Sequence, residues 1–448
     1  MDGQVDVPDI RAGRLGGAQL AENFADLHPP LKQYEAVVAA DRCFFCYEAP
    51  CIAACPTEID IPLFIRQIQA DQPLSAAKTI FDQNILGGMC ARVCPTETLC
   101  EQACVRELSE GKPVEIGRLQ RFATDQAMAV AKHPYDRERE TGKRVVIIGA
   151  GPAGLACAHR LAMKGHAVDI LERRSKPGGL NEYGIAAYKT KDNFAAAEIE
   201  WLLQIGGITL RTTHETSDLE ALEAIIADYD AVFVAVGLDG VNSLNVAQES
   251  LSEVQNAVEY IATLRQTTDL STLPIGRHVV VIGGGMTAID AAVQTKLLGA
   301  ESVTIAYRRE QSAMPASRYE QDIATSRGVR ILCNVQPLHL GRNSNSREIE
   351  LEYTTEINGQ LRGTGETLRL SADQVLLAIG QSLDQSLANL TLESGKIKTN
   401  SSGRTNLEKV WAGGDCATNG TDLTVTAVAQ GRDAAEDIHN YLMTQNYG

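Results

Sequence analysis

The chain has 448 residues, and because a single hydrophobic core stops growing at roughly 250 to 300 residues, we expect two or three domains. Its formal charge of -16 and pI near 5.0 provide no basic field, which argues against nucleic acid or an anionic membrane surface as a partner. No apolar run is long enough to span a bilayer and no cationic leader opens the chain, so we expect a soluble, cytoplasmic protein.

The first third of the chain has a helical pattern. Residues 1 to about 30 are polar and rich in Gly and Ala, and we interpret them as an arm that lies on the surface. From about 31 to 135, apolar residues recur at helical spacing, and Asp60 is a start signal for one such helix. The charged stretch 136–143 is typical of a linker. The sequence therefore predicts an α-helical domain over residues 1–140, arm included.

Eight of the eleven cysteines lie in this region, in two short runs: Cys43, Cys46, Cys51 and Cys55 in the first, and Cys90, Cys94, Cys100 and Cys104 in the second. Spacings of two to four residues let the backbone wrap a metal cluster, and a C-x3-C-P ending is typical of iron-sulfur proteins. Two [4Fe-4S] clusters are the natural count. Zinc is the alternative, because C-x2-C also binds zinc.

After residue 143 the composition changes to apolar runs punctuated by glycine, which is typical of α/β domains. Residues 144–148 form a predicted buried strand that leads directly into G-x-G-x-x-G at 149–154 and then a helix. In this context the glycines allow a tight turn, close approach of a pyrophosphate and close helix packing. Glu172 ends the next strand, where its carboxylate is placed to accept hydrogen bonds from ribose hydroxyls.

A second copy of this pattern begins with the predicted strand 278–282 and the glycine-rich turn 283–288. Arg308 and Arg309 stand where Glu172 stood in the first copy, and an arginine at this point accommodates the 2′-phosphate of NADP. The alternative is that both copies are glycine-rich turns of an α/β domain that binds no nucleotide.

A third segment supports a flavin domain. Gly414 and Asp415 follow an apolar run and precede a helix. In flavin domains an aspartate there holds the ribityl chain, while the helix N-terminus faces the isoalloxazine ring. We therefore predict an FAD-binding domain split into residues 141–270 and 380–448, with an NAD(P)H-binding domain, residues 271–379, inserted into it.

Four segments of the helical region carry a recognisable pattern: CFFCYEAPC at 43–51, CPTEIDI at 55–61, CARVCPTETLC at 90–100 and IGRLQRFA at 116–123. In these segments, and through both nucleotide-binding copies, the chain resembles the N-terminal half of dihydropyrimidine dehydrogenase. We expect no FMN-bearing barrel of the kind fused to that half in the animal enzymes, so the chain resembles the separate NAD(P)H-oxidising subunit of the bacterial two-chain enzyme. The small subunit of glutamate synthase shares the architecture and is the second candidate.

The resemblance implies an α/β fold class: a helical N-terminal domain with two [4Fe-4S] clusters, followed by two Rossmann-like domains of the glutathione-reductase type, one inserted in the other. It assigns one cluster to Cys43, Cys46, Cys51 and Cys104. It assigns the other to Cys55, Cys94, Cys100 and the side-chain oxygen of Gln120. From the residues alone Cys90 would be the eighth ligand, because thiolates are the ordinary ligands of such clusters, and Cys90 remains the rival of Gln120.

The resemblance also implies the nucleotide contacts. The positions that match the FAD site are Gly149, Ala150, Gly151, Pro152, Ala153, Gly154, Glu172, Gly179, Leu180, Lys189, Gly414, Asp415, Thr424, Val425 and Thr426. Lys189 stands where relatives often have arginine. The positions that match the nicotinamide cofactor site are Gly284, Gly285, Met286, Thr287, Arg308, Arg309 and Gly380.

The implied function is that of an electron-input subunit. NAD(P)H would reduce FAD, and electrons would pass singly through two clusters to a partner that contains FMN and iron-sulfur clusters and reversibly reduces uracil or thymine. This half-reaction needs no side-chain acid or base, so we predict no catalytic residue. We expect a hetero-oligomer, and NADH rather than NADPH from the bacterial relatives, while the two arginines favour NADPH. Other hypotheses are a glutamate synthase small subunit or another cluster-dependent reductase, and a non-catalytic scaffold that bears clusters.

Overall fold

The structure is a computed structural model that describes residues 9–130, 132–214, 219–244, 247–248, 254–343, 346–383 and 389–444. Before the first strand come the helices α1 Gly17–Asn23, α2 Gln33–Ala40, α3 Pro50–Ala53, α4 Ile61–Gln69, α5 Pro73–Gln83, α6 Gly87–Val93, α7 Val105–Glu110 and α8 Ile116–Met128. The described residues of the predicted helical region thus form helices joined by loops, and none of them forms a strand.

The first nucleotide-binding copy and the segment after it contain β1 Arg144–Ile148, α9 Pro152–Met163, β2 Ala167–Leu171, α10 Leu180–Tyr183, α11 Phe194–Leu203, β3 Ile208–Arg211, α12 Leu219–Asp228, β4 Ala231–Val234, β5 Gly240–Val241, β6 Ala247–Gln248, β7 Val254–Asn256 and α13 Ala257–Gln266. The rest of the chain contains β8 His278–Gly283, α14 Met286–Leu297, β9 Ser302–Tyr307, α15 Arg318–Ser326, β10 Val329–Cys333, β11 Val335–Asn343, β12 Ser346–Ile357, β13 Gln360–Ser371, β14 Gln374–Ala378, β15 Gln381–Ser382, β16 Leu392–Glu393, β17 Lys396–Ile397, β18 Val410–Ala412 and α16 Thr424–Thr444.

The chain divides into two compact units. The larger unit consists of His28–Glu182, Asp192–Gly240 and Ser382–Gly448, and the smaller unit of Met1–Leu27, Tyr183–Lys191 and Val241–Gln381. The larger unit therefore contains both cysteine runs together with the two segments of the predicted flavin domain. The boundaries that the sequence predicts for three domains remain a prediction.

A parallel sheet with the order β18-β4-β1-β2-β3 forms the centre of the larger unit. Strand β1 lies between β2 and β4, and its four residues after Arg144 are buried, which explains their uninterrupted apolar pattern. Helix α9 follows directly and packs against α16. The carboxyl ends of β1, β4 and β18 thus meet at one edge of this sheet, which is where open α/β sheets bind their ligands.

The helical part of the larger unit has its own apolar packing. Helix α4 buries Ile61, Phe64, Ile65 and Ile68 on one face, as their spacing predicts. The Asp60 side chain caps this helix by accepting a hydrogen bond from the Leu63 N–H at 3.0 Å. The predicted start of this helix is therefore confirmed.

The smaller unit has a parallel sheet with the order β10-β9-β8-β14-β7. It also has a mixed sheet with the order β13-β12-β11-β6, in which β12 is antiparallel to both of its neighbours. The described part of the N-terminal arm also belongs to it. Leu20 and Phe24 are buried in the core of this unit, and Arg14 Nε donates to the Ile275 carbonyl at 3.0 Å. These contacts explain why residues 9–27 group with the nucleotide-binding segment and not with the helices that follow them.

The α/β fold class predicted from the sequence is confirmed, with helices first and two Rossmann-type sheets after them. Within the described residues, every helix falls short of the length and apolar character that a membrane crossing would require.

Candidate cofactor sites

The first predicted ligand set lines a partly open cavity in the larger unit. All four thiols of the set border it, and apolar side chains complete the wall; the cysteines are Cys43, Cys46, Cys51 and Cys104. Burial and the neighbouring thiols raise the pKa of Cys51 to about 12, and burial likewise raises the pKa of Cys43. Thiols crowded around an apolar space are a donor set that suits an iron-sulfur cluster, whose irons stabilise the thiolate form.

The second predicted ligand set is more deeply buried. A side-chain hydrogen bond with Cys90, then burial, and more weakly the nearby Cys100 and Cys55 raise the pKa of Cys94, so the four cysteines lie close enough to interact. The Cys55 Sγ also lies 3.3 Å from the Thr57 hydroxyl. The structure therefore brings Cys90 into this group with the three predicted cysteines.

Gln120 is buried in α8, and its Nε2 donates a hydrogen bond to the Gly87 carbonyl at 2.7 Å. This bond fixes the amide, so that its Oε1 is directed away from Gly87. A Cβ on Gly87 would overlap Ile80 Cγ2 at 2.5 Å, so Gly87 lets α6 and α5 approach closely beside Gln120. An oriented amide oxygen is what a ligand role requires, and the choice between Gln120 and Cys90 remains a prediction.

A single metal ion requires a tighter grouping than the cysteines show. Within the described residues, no three His, Cys, Asp or Glu side chains are arranged to hold one ion. This grouping therefore does not favour the zinc alternative.

The turn after β1 has the geometry that a dinucleotide requires. Gly149 has a φ of +104°, and a Cβ there would overlap the Ala235 carbonyl oxygen. Gly151 is the N-cap of α9. A Cβ added to it would meet no atom within 4 Å, so the helix N-terminus faces open space. A Cβ on Gly154 would overlap the Gly149 carbonyl oxygen. Ala150, Pro152 and Ala153 complete this turn.

Glu172 is buried at the end of β2, where it holds two loops together. Its Oε2 accepts from the Ala150 N–H at 2.9 Å and its Oε1 from the Arg174 N–H at 2.8 Å. Each carboxylate oxygen keeps a second lone pair for a ribose hydroxyl. The predicted contact with ribose is thus compatible with this geometry.

Two further segments of the predicted flavin site meet near the start of α9. A Cβ on Gly179, which precedes the exposed Leu180, would lie 3.0 Å from the Gly151 Cα, and one on Gly414 would lie 3.1 Å from the Ala153 Cβ. Gln430, which the sequence did not single out, accepts from the Gly414 N–H at 2.6 Å.

The aspartate and the helix start after Gly414 also fit a bound flavin. Burial raises the pKa of Asp415 to about 6, and within the described residues its carboxylate has no hydrogen-bond donor. A ribityl hydroxyl would supply one. Thr424, Val425 and Thr426 form the first turn of α16, and Thr424 Oγ1 donates to Asn181 Oδ1 at 2.8 Å.

Lys189, the remaining predicted flavin contact, lies in the smaller unit. Its buried ammonium contacts Asp290 Oδ1 at 2.8 Å and Glu320 Oε1 at 2.7 Å. These carboxylates outweigh the effect of burial and raise the pKa of Lys189. The structure thus shows Lys189 in a buried ion cluster with Asp290 and Glu320, a partnership that the sequence did not predict.

The second glycine turn repeats the geometry of the first. Gly283 has a φ of +144°, and a Cβ on Gly284 would overlap the Tyr307 ring. Gly285 is the N-cap of α14, with open space around it, and the helix continues with Met286 and Thr287. Gly380, after β14, has a φ of +99° and accepts from the Asn242 N–H at 3.2 Å.

Arg308 and Arg309 follow β9, at the carboxyl edge of the smaller unit's parallel sheet. Both side chains are exposed, and neither forms an ion pair within the described part of the chain. Two unpaired guanidinium groups at this position can bind a phosphate.

Comparisons with known proteins agree with this geometry. Residues 143–431 match the family described as pyridine nucleotide-disulphide oxidoreductase, and residues 20–132 match dihydropyrimidine dehydrogenase domain II, 4Fe-4S cluster. The chain is 36% identical over 424 residues to the NAD-dependent dihydropyrimidine dehydrogenase subunit PreT of Escherichia coli strain K12, covering 94% of this chain and 98% of the relative. It is 33% identical to the glutamate synthase (NADPH) small chain of the same strain, covering 94% of each.

Two solved structures share the fold. FprA of Mycobacterium tuberculosis in complex with NADPH aligns with a TM-score of 0.57 at 19% identity, over 68% of this chain and 86% of that chain. Thioredoxin reductase of T. acidophilum aligns with a TM-score of 0.51 at 19% identity, over 68% of this chain and 100% of that chain.

Proposed function

Since this chain belongs to the pyridine nucleotide-disulphide oxidoreductase family and carries the 4Fe-4S domain of dihydropyrimidine dehydrogenase, we propose that it is the electron-input subunit of a two-chain dihydropyrimidine dehydrogenase. It is an NAD(P)H-dependent oxidoreductase with FAD and iron-sulfur cofactors. The observation that carries the proposal is the cavity bordered by Cys43, Cys46, Cys51 and Cys104, in the same compact unit as the flavin-type sheet. A subunit that only oxidised NAD(P)H for a soluble acceptor would not need this donor set.

FAD held here would supply the conversion of a two-electron hydride donor into single electrons for the clusters. The chain's own residues would bind and orient the cofactors. The N-termini of α9 and α14 would each hold a pyrophosphate, and Glu172 and Asp415 would accept hydrogen bonds from hydroxyl groups. The reaction balances as NAD(P)H, one solvent proton and uracil giving NAD(P)⁺ and dihydrouracil. The uracil step belongs to the partner, so no acid or base is assigned here.

The surface near the first cavity supports a docking partner. Phe44 borders the cavity and is half exposed, Tyr47 is fully exposed, and Leu108 has 82% of its surface in solvent. Leu63 is also exposed, two residues after Ile61, which borders the cavity. Exposed apolar side chains that are close in sequence to the residues of a redox site favour a protein-protein contact there. We propose that the catalytic subunit, with FMN and its own iron-sulfur clusters, docks here in a hetero-oligomer.

Two observations on the choice between NADH and NADPH point in opposite directions. The 36% identical relative is named NAD-dependent, which supports NADH as the donor. Arg308 and Arg309 are unpaired within the described residues, which supports acceptance of the 2′-phosphate of NADPH. We propose NADH as the preferred donor, with NADPH accepted as a second substrate.

The second candidate is a glutamate synthase small subunit, which the 33% identity to such a chain and the two arginines favour. The test is purification of the chain with its bound partner, followed by assays of uracil reduction and of glutamine-dependent glutamate formation with each nicotinamide. We expect uracil-dependent NADH oxidation. Glutamate formation without uracil reduction would contradict the proposal.

A further inference from the structure

Helix α16 reaches from the predicted flavin site to the second cluster's surroundings. Its first turn contains Thr424–Thr426, and two turns later a Cβ on Gly431 would overlap the Ala153 carbonyl oxygen in the first turn of α9. The two helices are therefore packed backbone to backbone at this point. The position of the next residue, Arg432, is in consequence fixed relative to the pyrophosphate-facing end of α9.

The Arg432 side chain is 13% exposed and extends toward two loop segments of the helical region. Its Nη1 lies 2.7 Å from the Thr57 carbonyl oxygen, 3.1 Å from the Gln83 carbonyl oxygen and 2.7 Å from Gln83 Oε1. Its Nε donates to Asp433 Oδ1 at 2.8 Å, which orients the guanidinium plane. One cation thus joins two segments that are 26 residues apart in sequence, 57 and 83.

Both segments support predicted ligands of the second cluster. Thr57 is fully buried, and its hydroxyl is 3.3 Å from the Cys55 Sγ. Gln83 ends α5, and four residues later the Gly87 carbonyl accepts the hydrogen bond that orients Gln120. Arg160 assists by donating to the Asp82 carbonyl at 2.6 Å, so two cations cap the negative end of α5.

We propose that Arg432 is a positioning residue for the second cluster, which it ties to the flavin-binding helix pair; this inference rests on the proposed electron-input function. It acts in two ways. It holds Thr57 so that the hydroxyl stays on the Cys55 sulfur, and its positive charge stabilises the more negative, reduced form of the cluster. Hydrogen bonds to sulfur and net charge are the protein's means of setting a cluster's reduction potential.

The test compares Arg432→Gln, Arg432→Lys and Thr57→Val in the full chain, purified without oxygen. Arg404→Gln is the matched control, because Arg404 also contacts α16, through Asp437 Oδ2 at 2.6 Å, but neither cluster segment. The measurements are FAD and iron content, the rate of flavin bleaching by NADH, and a dithionite titration of each cluster followed by electron paramagnetic resonance.

We expect Arg432→Gln to keep its FAD, its iron and its flavin bleaching rate, to lower the potential of the second cluster only, and to slow its reduction about tenfold. The cluster potential of Arg432→Lys should lie between those of Arg432→Gln and wild type, since lysine keeps the positive charge but not the planar guanidinium group. Thr57→Val should shift the potential in the same direction. If Arg432→Gln loses its cofactors, Thr57→Val and Arg432→Lys decide the question.

The inference is overturned if the second cluster has one and the same potential and spectrum in wild type, Arg432→Gln and Arg404→Gln, or if Thr57→Val and Arg432→Lys leave both unchanged. Failure of the proposed function gives a different result, in which wild type itself does not pass electrons from NADH to the clusters. The dithionite titration still tests Arg432 in that case, because it does not depend on NADH.

Discussion

Glu198 lies in α11 and is completely buried. Its carboxyl group packs against the start of α6. Its Oε1 accepts from the Met89 N–H at 3.0 Å, and its buried Oε2 has no hydrogen-bond partner within the described residues. Burial raises the pKa of Glu198 from 4.5 to about 8, although the Met89 N–H and the Arg92 guanidinium act in the opposite direction. The substitution Glu198→Gln keeps an acceptor oxygen and removes the titration.

The raised pKa makes the free energy of unfolding of wild type fall as the pH rises, because the folded state retains a proton that the unfolded state has released. The loss starts above the unfolded pKa of 4.5 and is complete near pH 8. At about 1.4 kcal/mol per pKa unit, the upper limit is roughly 5 kcal/mol. Glu198→Gln has no such loss, so its stability relative to wild type should increase steadily over this interval.

The assay is thermal unfolding of the cofactor-loaded chain without oxygen, at several pH values between about 5 and about 8.5. Glu200→Gln is the matched control, because Glu200 is exposed on the same helix. We expect the Tm difference between Glu198→Gln and wild type to grow with pH, and that of the control to stay constant. Parallel Tm curves for Glu198→Gln and wild type would refute the reasoning.

Three other tests by substitution concern the cofactor sites. Cys51→Ser should lose about half of the iron, and Cys333→Ser none, in an iron assay; equal iron in both would contradict the first ligand set. Gly151→Ala should fold, because no atom lies within 4 Å of its Cβ position, but should retain less FAD by absorbance, since the methyl group takes the space of the pyrophosphate. Arg308→Gln with Arg309→Gln should lower kcat/KM for NADPH about tenfold and leave that for NADH unchanged; equal losses would contradict a phosphate contact.

Much of the fold follows from local sequence signals. The uninterrupted apolar run of β1, the glycines at 149–154 and the helix after them are one continuous segment, so their pattern predicts their structure without knowledge of distant residues. The cysteine spacings likewise predict a cluster domain, because ligands a few residues apart stay close in any fold. The structure brings Cys43, Cys46 and Cys51 together with Cys104, whose place in the set came only from the family resemblance.

Contacts between distant segments could not be predicted in this way. Lys189 is a plain cation in the sequence, and its buried pairing with Asp290 and Glu320 depends on residues more than 100 positions away. Arg432 looks like a solvated helix residue until Thr57 and Gln83 are placed beside it. The same limit applies to Gln120, because no local signal separates an orienting contact with Gly87 from ordinary helix packing.

The central claim is that electrons from NAD(P)H leave this chain through its clusters to reduce a pyrimidine. The most direct measurement is the yield of dihydrouracil per NADH oxidised by the chain with its bound partner, compared between wild type and Cys51→Ser. We predict one dihydrouracil per NADH for wild type, and no dihydrouracil for Cys51→Ser even though NADH still bleaches its flavin. Dihydrouracil formation at the wild-type rate without the first cluster would contradict the account.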